Sequence, residues 1–258
     1  GSHLVARAGA AVEATKADAR DLVTAVDGEC QQIIEEYISS KYPDHTVLGE
    51  ESIEPGWAAA SIAAGRLKEV EWSWIIDPVD GTTNFVSQLP LCVVSIGIAR
   101  YGIPHGSVVY DPHHNEMFSA WTGEGATLNG NSMRVSSTKT LASSVVCAPC
   151  PHSSASMGPA MRSIQAVIPR ARSVRILGSG VLNLAWVACG RLEAYWEHEL
   201  AVWDTAAGSL LVQEAGGQVT GTDGTPFTLT SRGALATNAA IHEEMKKLLL
   251  RANALKCD

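Results

Sequence analysis

One stretch constrains this chain more than any other: Trp74-Ile75-Ile76-Asp77-Pro78-Val79-Asp80-Gly81-Thr82-Thr83-Asn84-Phe85. An apolar run suited to a buried strand ends in two acids that bracket a proline and a valine. A glycine, two threonines and an asparagine follow. A plain turn would need only one Asp-Gly. Pro78 fixes its own φ and Gly81 permits tight backbone paths, so the segment can aim two carboxylates at one point. Converging carboxylates repel unless a cation neutralises them, and hard divalent cations take carboxylate, carbonyl and water oxygens. Thr82-Thr83 open a helix-like stretch whose first N–H groups suit an anion such as phosphate. One segment thus joins candidate metal ligands to a candidate phosphate seat.

The remaining chain must build a core around it. Its 258 residues, 46% hydrophobic and 18% charged, suit one large domain or two packed subdomains. A net charge of −8 with no long basic run argues against nucleic acid or an anionic membrane as the partner. An anionic substrate would then need local cations to reverse the field. No apolar stretch approaches the ~20 residues that span a bilayer. Gly1-Ser2-His3 reads as the remnant of an expression tag, and no signal or transit peptide is visible. The expected location is soluble and cytoplasmic, with a plastid as the alternative if a transit peptide has been removed. The six cysteines read as reduced, mostly buried thiols. Cys147-Ala-Pro-Cys150 lacks the second ligand pair of a zinc site, which leaves a redox role as the minor alternative.

Patterning places the elements. Residues 6–16 are alanine-rich and read as a helix; DLVTAVD (Asp21 to Asp27) alternates and reads as extended; from Gly28 a helical apolar face runs to Pro43. HTVLG, SWIID, CVVSIGIA, HGSVVYD and EMFSAW read as strands, and Asn129-Gly130 as a hairpin turn. Past Leu141 strands and helices alternate: SSVVCAP, a helix over 159–167, SVRILGS, VLNLAWVACG, RLEAYWE, TAAGSLLVQEA, GQVT, ALAT and a closing helix. This predicts an α+β first half, residues 4–140, and a second half, residues 141–258, with a mixed sheet.

Four acidic spots end strands or begin helices: Asp27, Glu50-Glu51, Asp77/Asp80 and Asp204. Asp27 and Asp204 each suit a helix N-cap, and Glu50-Glu51 an exposed loop pair. Asp77 and Asp80 resist such a reading. Glu197 has a solvated strand end as its plain interpretation, His198 a surface position, and His113-His114 a hairpin turn. Trp72, Trp74, Trp121, Trp186, Trp196 and Trp203 read as core or interface packing.

GEES (Gly49 to Ser52), DPVDGTTNF (Asp77 to Phe85) and WDTAAGSLLVQEAGG (Trp203 to Gly217) together resemble the inositol monophosphatase family, and Val108 to Gly130 resembles its middle hairpins. The resemblance runs from about DLVTAVD to the C-terminus. Two features depart from it: a shorter N-terminal helix and the loop Ala148 to Gly158. The resemblance implies a layered αβαβα sandwich of two subdomains, usually a homodimer, that hydrolyses phosphate monoesters with Mg2+ and is lithium-sensitive. It implies one ion on Glu50, Asp77 and the Val79 carbonyl, a second on Asp77, Asp80 and Asp204, and a weaker third on Glu50 and its water shell. Asp27 with Thr82 would orient or deprotonate the attacking water, and Glu50 belongs to the same catalytic group. The Gly81 and Thr82 amides would hold phosphate. Gly178, Ser179 and Gly180 would line the substrate site, with Gly180 in place of a more usual alanine leaving it roomier, and Glu197 would bind substrate hydroxyls.

The chemistry agrees, since phosphoryl transfer to water rests on positioning and charge neutralisation and needs no Ser, Cys or His nucleophile. The leading expectation is an inositol-1-monophosphatase acting on a small phosphorylated polyol. Histidinol-phosphate, sugar-phosphate, adenosine-bisphosphate and fructose-bisphosphate hydrolysis are alternatives on the same ligands. A regulatory binding protein with vestigial activity is the alternative of another class.

Overall fold

The computed structural model describes residues 1–7, 12–15, 22–151 and 153–252. The chain opens with α1 (Ser2–Ala6), β1 (Val12–Thr15), β2 (Leu22–Thr24) and α2 (Ala25–Lys41). β3 (Thr46–Gly49), α3 (Trp57–Arg66), β4 (Trp72–Asp80) and α4 (Thr82–Val86) follow. The meander comprises β5 (Val93–Arg100), β6 (Ile103–Asp111), β7 (Glu116–Trp121), β8 (Gly125–Leu128) and β9 (Asn131–Met133). Beyond it lie β10 (Val145–Cys147), α5 (Ser154–Val167), β11 (Ser173–Arg175), α6 (Gly180–Ala188), β12 (Ala194–Glu197) and α7 (Val202–Glu214). β13 (Gln218–Thr220), β14 (Ala234–Thr237) and α8 (His242–Arg251) close the fold.

β3 to β9 form a seven-stranded sheet in sequence order, and β11-β10-β12-β14-β13 form a mixed five-stranded sheet. α6 and α7 lie between them. Their Leu184, Val187, Leu210 and Leu211 pack with Val109 and Phe118 of the first sheet and Tyr195 and Ala236 of the second. α2 packs on β3 and β4. Ile164 of α5 and Met245 and Leu249 of α8 pack on Val146, Trp196 and Leu235 on the outer side of the five-stranded sheet. The order is therefore helix, sheet, helix, sheet, helix, as expected. The layers sit close because Gly97 of β5 leaves room for α7: a Cβ there would lie 2.7 Å from that of Ala206. Ser107 Oγ donates to the Ala207 carbonyl across the same seam at 2.8 Å.

Several elements differ from the sequence reading. The helix expected over 6–16 ends at Ala6, and Val12–Thr15 instead pairs antiparallel with β2 (Thr15 opposite Leu22); the other positions of that stretch past Arg7 lie outside the described residues. Strand pairing overrides alanine's high helix propensity here, since propensity is a weak prior that tertiary context outweighs. α2 starts at Ala25, so Asp27 is its third residue, with Thr24 as N-cap. α5 starts at Ser154 rather than Pro159, because Ser153 caps it by accepting from Ser156 N at 3.2 Å. Asp204 likewise lies inside the first turn of α7, where it accepts from Ala201 N at 2.7 Å. An acid at the third position reaches back to the N-cap amide, a capping-box geometry that a search for N-caps alone misses. Cys30, Cys92 and Cys147 are buried free thiols, and Cys150 and Cys189 are half-buried and free; Cys257 lies outside the described residues.

Candidate active site

The two aspartates of the opening stretch meet at a β-bulge. Asp77 pairs with Ser95 and Asp80 with Val93, so three steps along β4 match two along β5. Residues three apart on a regular strand face opposite ways; the extra residue in the bulge re-aims one of them. Asp77, Val79 and Asp80 all line one cleft of about 560 Å3. Asp77 Oδ1 accepts from Val79 N at 3.1 Å, which tightens the bulge. β3 runs parallel to β4 with Gly49 beside Ile76, so Glu50 arrives next to Asp77. Gln31 of α2 holds the Glu50–Ser52 turn, accepting from Glu51 N at 2.9 Å and donating to Ser52 Oγ at 2.8 Å. Nothing in the local pattern signals this role for Gln31, which shows only as a polar residue in an otherwise amphipathic helix.

Asp80 also caps a helix a hundred residues away. Its Oδ1 accepts from Gly180 N at 3.1 Å, and Oδ2 accepts from Val181 N at 2.8 Å, Leu182 N at 3.3 Å and the Ser179 hydroxyl. Burial lifts this carboxyl above its ordinary value, opposed by the Ser179 hydroxyl and the three amides. Ser179 and Gly180 therefore serve Asp80 directly. Space at Gly180 is taken by Tyr195, whose hydroxyl would lie 3.1 Å from an added Cβ; the roomier substrate pocket expected from this glycine is filled by that side chain. Gly178 makes room for Asn84, which donates to the carbonyls of Leu91 at 2.9 Å and Leu177 at 2.7 Å and so ties the cleft's two sides together.

Asp27 stands behind the cleft, 1% exposed. Its Oδ2 accepts from Thr24 N at 2.9 Å and Thr24 Oγ1 at 2.6 Å, and its Oδ1 lies 3.2 Å from Thr82 Oγ1. That hydroxyl also lies 3.1 Å from the Val79 carbonyl. With its proton donated inward, Thr82 keeps lone pairs to accept from a water in the cleft. Gly81 turns the chain into α4 at φ +93°, and an added Cβ would meet the Leu91 carbonyl at 2.7 Å.

Glu197 is no solvated strand end. It is 6% exposed, accepts from Cys150 N at 2.8 Å and His198 N at 3.0 Å, and lines the cleft. Burial pushes its carboxyl up to about 7. His198 is buried rather than on the surface, 3.3 Å from Ser163 Oγ, and burial holds it down at about 4. Burial likewise pushes the Cys147 thiol up to about 12 and raises that of Cys150, a shift that disfavours the thiolate form. His114 is exposed and bonds Asp111 at 2.8 Å, while His113 is half-buried against Cys92.

The cleft brings together Glu50, Asp77, Val79, Asp80, Gly81, Thr82, Gly178, Ser179, Gly180, Glu197 and Asp204, with Asp27 one bond behind. Glu54 and Glu199 bring its acids to seven, and no Lys, Arg or His is among its described lining residues. Among the described residues no three Asp, Glu, His or Cys side chains close into a compact ligand set. Separated carboxylates, with a backbone carbonyl at Val79 among them, suit a hard cation such as Mg2+, which keeps several waters of its own.

Residues 3–254 match the inositol monophosphatase family. The inositol-1-monophosphatase of Synechocystis is 39% identical over 243 residues, 91% of this chain and 78% of that protein. A Nus factor SuhB of Haemophilus influenzae is 38% identical, over 91% of this chain and 85% of its own length. The Thermotoga maritima IMPase TM1415 superposes with a TM-score of 0.85 at 31% identity, covering 98% of this chain and 92% of that one. An IMPase/NADP phosphatase complexed with Mg2+ and phosphate superposes at 0.79 and 28% identity, covering 95% and 88%. With the bulged aspartates, the Asp27–Thr82 pair and the acid-lined cleft in one place, the chain belongs to the inositol monophosphatase family of phosphoric monoester hydrolases.

Proposed function

We propose that this protein hydrolyses a small phosphorylated polyol, inositol 1-phosphate first, with magnesium and by direct attack of water, without a phospho-enzyme. One observation carries the reading: the cleft is lined by seven acids, one of them (Glu199) paired with Arg232, and no cationic side chain is among its described lining residues. An anionic ester enters such a cleft when bound cations reverse its field. Glu50, Asp77, the Val79 carbonyl, Asp80 and Asp204 would hold two to three Mg2+ ions. Bound there, Mg2+ supplies charge neutralisation and a more acidic water. Thr82, backed by Asp27, orients the attacking water and passes its proton inward. The amides of Gly81 and Thr82 hold phosphate at the start of α4, and Glu197 accepts from a substrate hydroxyl. Gly178, Ser179 and Gly180 shape the floor of the site, the last two through Asp80.

A homodimer, lithium sensitivity, a cytoplasmic location and a division into subdomains 4–140 and 141–258 complete the reading. No helix among the described residues is long and apolar enough to cross a membrane. The test is phosphate release from inositol 1-phosphate, histidinol phosphate, fructose 1,6-bisphosphate and an adenosine bisphosphate, with magnesium or EDTA and with or without lithium. A magnesium-dependent, lithium-sensitive preference for inositol 1-phosphate is the expected result. A preference for another ester moves the substrate, and no release from any of them sinks the enzymatic reading in favour of a binding role.

A further inference from the structure

One wall of the cleft is assembled from side chains of distant segments. Trp57, the first residue of α3, and Glu199, between β12 and α7, both line it. Arg232, just before β14, joins them. Its guanidinium carbon lies 4.8 Å from the Trp57 ring centroid, and Nη2 donates to Glu199 Oε2 at 2.6 Å. The Arg232 carbonyl accepts from Leu200 N at 2.7 Å, so backbone and side chain are both anchored on the strand-to-helix connection that carries Glu199. From its other end α3 is fixed by Ala60 and Ala64, which pack with Ile75 and Trp203. The indole is thus clamped between a seated helix and a seated guanidinium. A planar guanidinium suits this task better than an ammonium, because it stacks on the ring while one of its nitrogens donates to the carboxylate. Leu89, Leu91 and Leu200 line the same cleft as Trp57, so its lining is not acidic throughout.

We propose that Trp57 is a specificity-determining residue, whose indole, held by Arg232, stacks against a ring carried by the alcohol part of the phosphate ester. The assignment rests on the phosphatase reading above and adds a selection within it. Cyclic polyols present an apolar C–H face, and imidazole or nucleoside rings a π face. Either fits a fixed indole, and an alcohol without a ring offers no such face. Arg232 is a positioning residue: it keeps the indole in place and does not itself line the cleft.

The experiment compares kcat and KM for glycerol 1-phosphate with those for the better of two ring esters, inositol 1-phosphate and histidinol phosphate, under saturating magnesium. The wild type is set against Trp57→Ala, Trp57→Phe and Arg232→Lys, with thermal melting of each. In Trp57→Ala the ratio of kcat/KM between ring and acyclic esters falls about tenfold, mainly through KM. Trp57→Phe restores most of that ratio. Arg232→Lys, which keeps a partner for Glu199 but loses the planar stack, falls between them. Equal losses on both esters would mark Trp57 as merely structural and overturn the proposal, even with lowered melting temperatures. Release by the wild type with an unchanged ratio in the variants overturns this inference alone. No release by the wild type from any ester overturns the phosphatase reading and this inference with it.

Discussion

The cleft has two walls, held by different means. On the catalytic side, Asp77 and Asp80 sit on a β-bulge and Asp80 is bound by three backbone amides and a buried hydroxyl. Asp27 is likewise gripped by the Thr24 amide and hydroxyl. Elsewhere along the cleft, Trp57, Glu199 and Arg232 meet one another through side chains, and Arg232 is 36% exposed. Backbone donors in a buried site tolerate little displacement, whereas a partly exposed ion pair of this kind contributes about 0–1 kcal/mol. The contrast teaches where reaction chemistry and substrate choice can vary separately: one wall is built into the strand register, and the other can change by single side chains.

The largest effect that could break this comparison is expected at Asp80. Asp80→Asn should lower magnesium-dependent turnover by about 10³-fold or more, through loss of anionic charge where it is needed. The folded state should survive, weakened by about 1–3 kcal/mol because an amide nitrogen would face the α6 amides. Phosphate release and urea denaturation measure the two parts, and wild-type turnover would remove Asp80 from the metal site. Next comes Gly81→Ala, with a positive φ and the Leu91 carbonyl 2.7 Å from the new Cβ. A loss of about 2–4 kcal/mol is expected in urea, with turnover reduced as the phosphate seat shifts. A variant as stable and active as the wild type would show that the catalytic wall is less rigid than its hydrogen bonds imply.

The smallest effect belongs to Glu197. Glu197→Gln should weaken polyol esters more than an aryl phosphate, and equal losses would place Glu197 outside substrate recognition. Its stability effect has a definite sign. Burial raises the folded carboxyl from 4.5 to about 7. Between those values the unfolded chain has released the proton that the folded chain retains, so this group's contribution falls as pH rises and levels off above about 7. Neighbouring His198, held down from 6.5 to about 4, contributes the opposite slope: stability is lost as pH falls through that window. Glu197→Gln removes only the first slope and should gain on the wild type by up to about 3 kcal/mol on going from pH ~4 to pH ~8. Urea midpoints in EDTA at the two pH values check this, and parallel midpoints would mean that Glu197 titrates normally.

Much of the site was legible because its residues are close in sequence. Asp77, Asp80, Gly81 and Thr82 lie within one turn-forming segment, and the Pro and Gly among them forecast an unusual path. The carboxylate at 197 was legible only as a candidate, since burial depends on the helices and the Cys150 segment packed around it. Asp27 and Asp204 were recognised as functional candidates, but their place at the third helical position was not. The capping box needs its N-cap partner in space, and local composition favoured a later start. The early alanine-rich stretch misled in the same way, because strand pairing supplied hydrogen bonds that helix propensity does not count.

The sequence by itself determined the run of consecutive strands in the first half, the alternation of strands and helices in the second and the group of acids that a cation must neutralise, while the layered class came from the family resemblance. Periodicity and turn chemistry act over a few residues and are written into neighbouring positions. Only the tertiary structure decided that Asp80 would cap α6, that Tyr195 would occupy the space Gly180 leaves, and that Arg232 would hold Trp57 over the cleft. Those contacts join residues roughly fifteen to more than a hundred positions apart. They depend on how whole layers pack, which sets distances that no local pattern encodes.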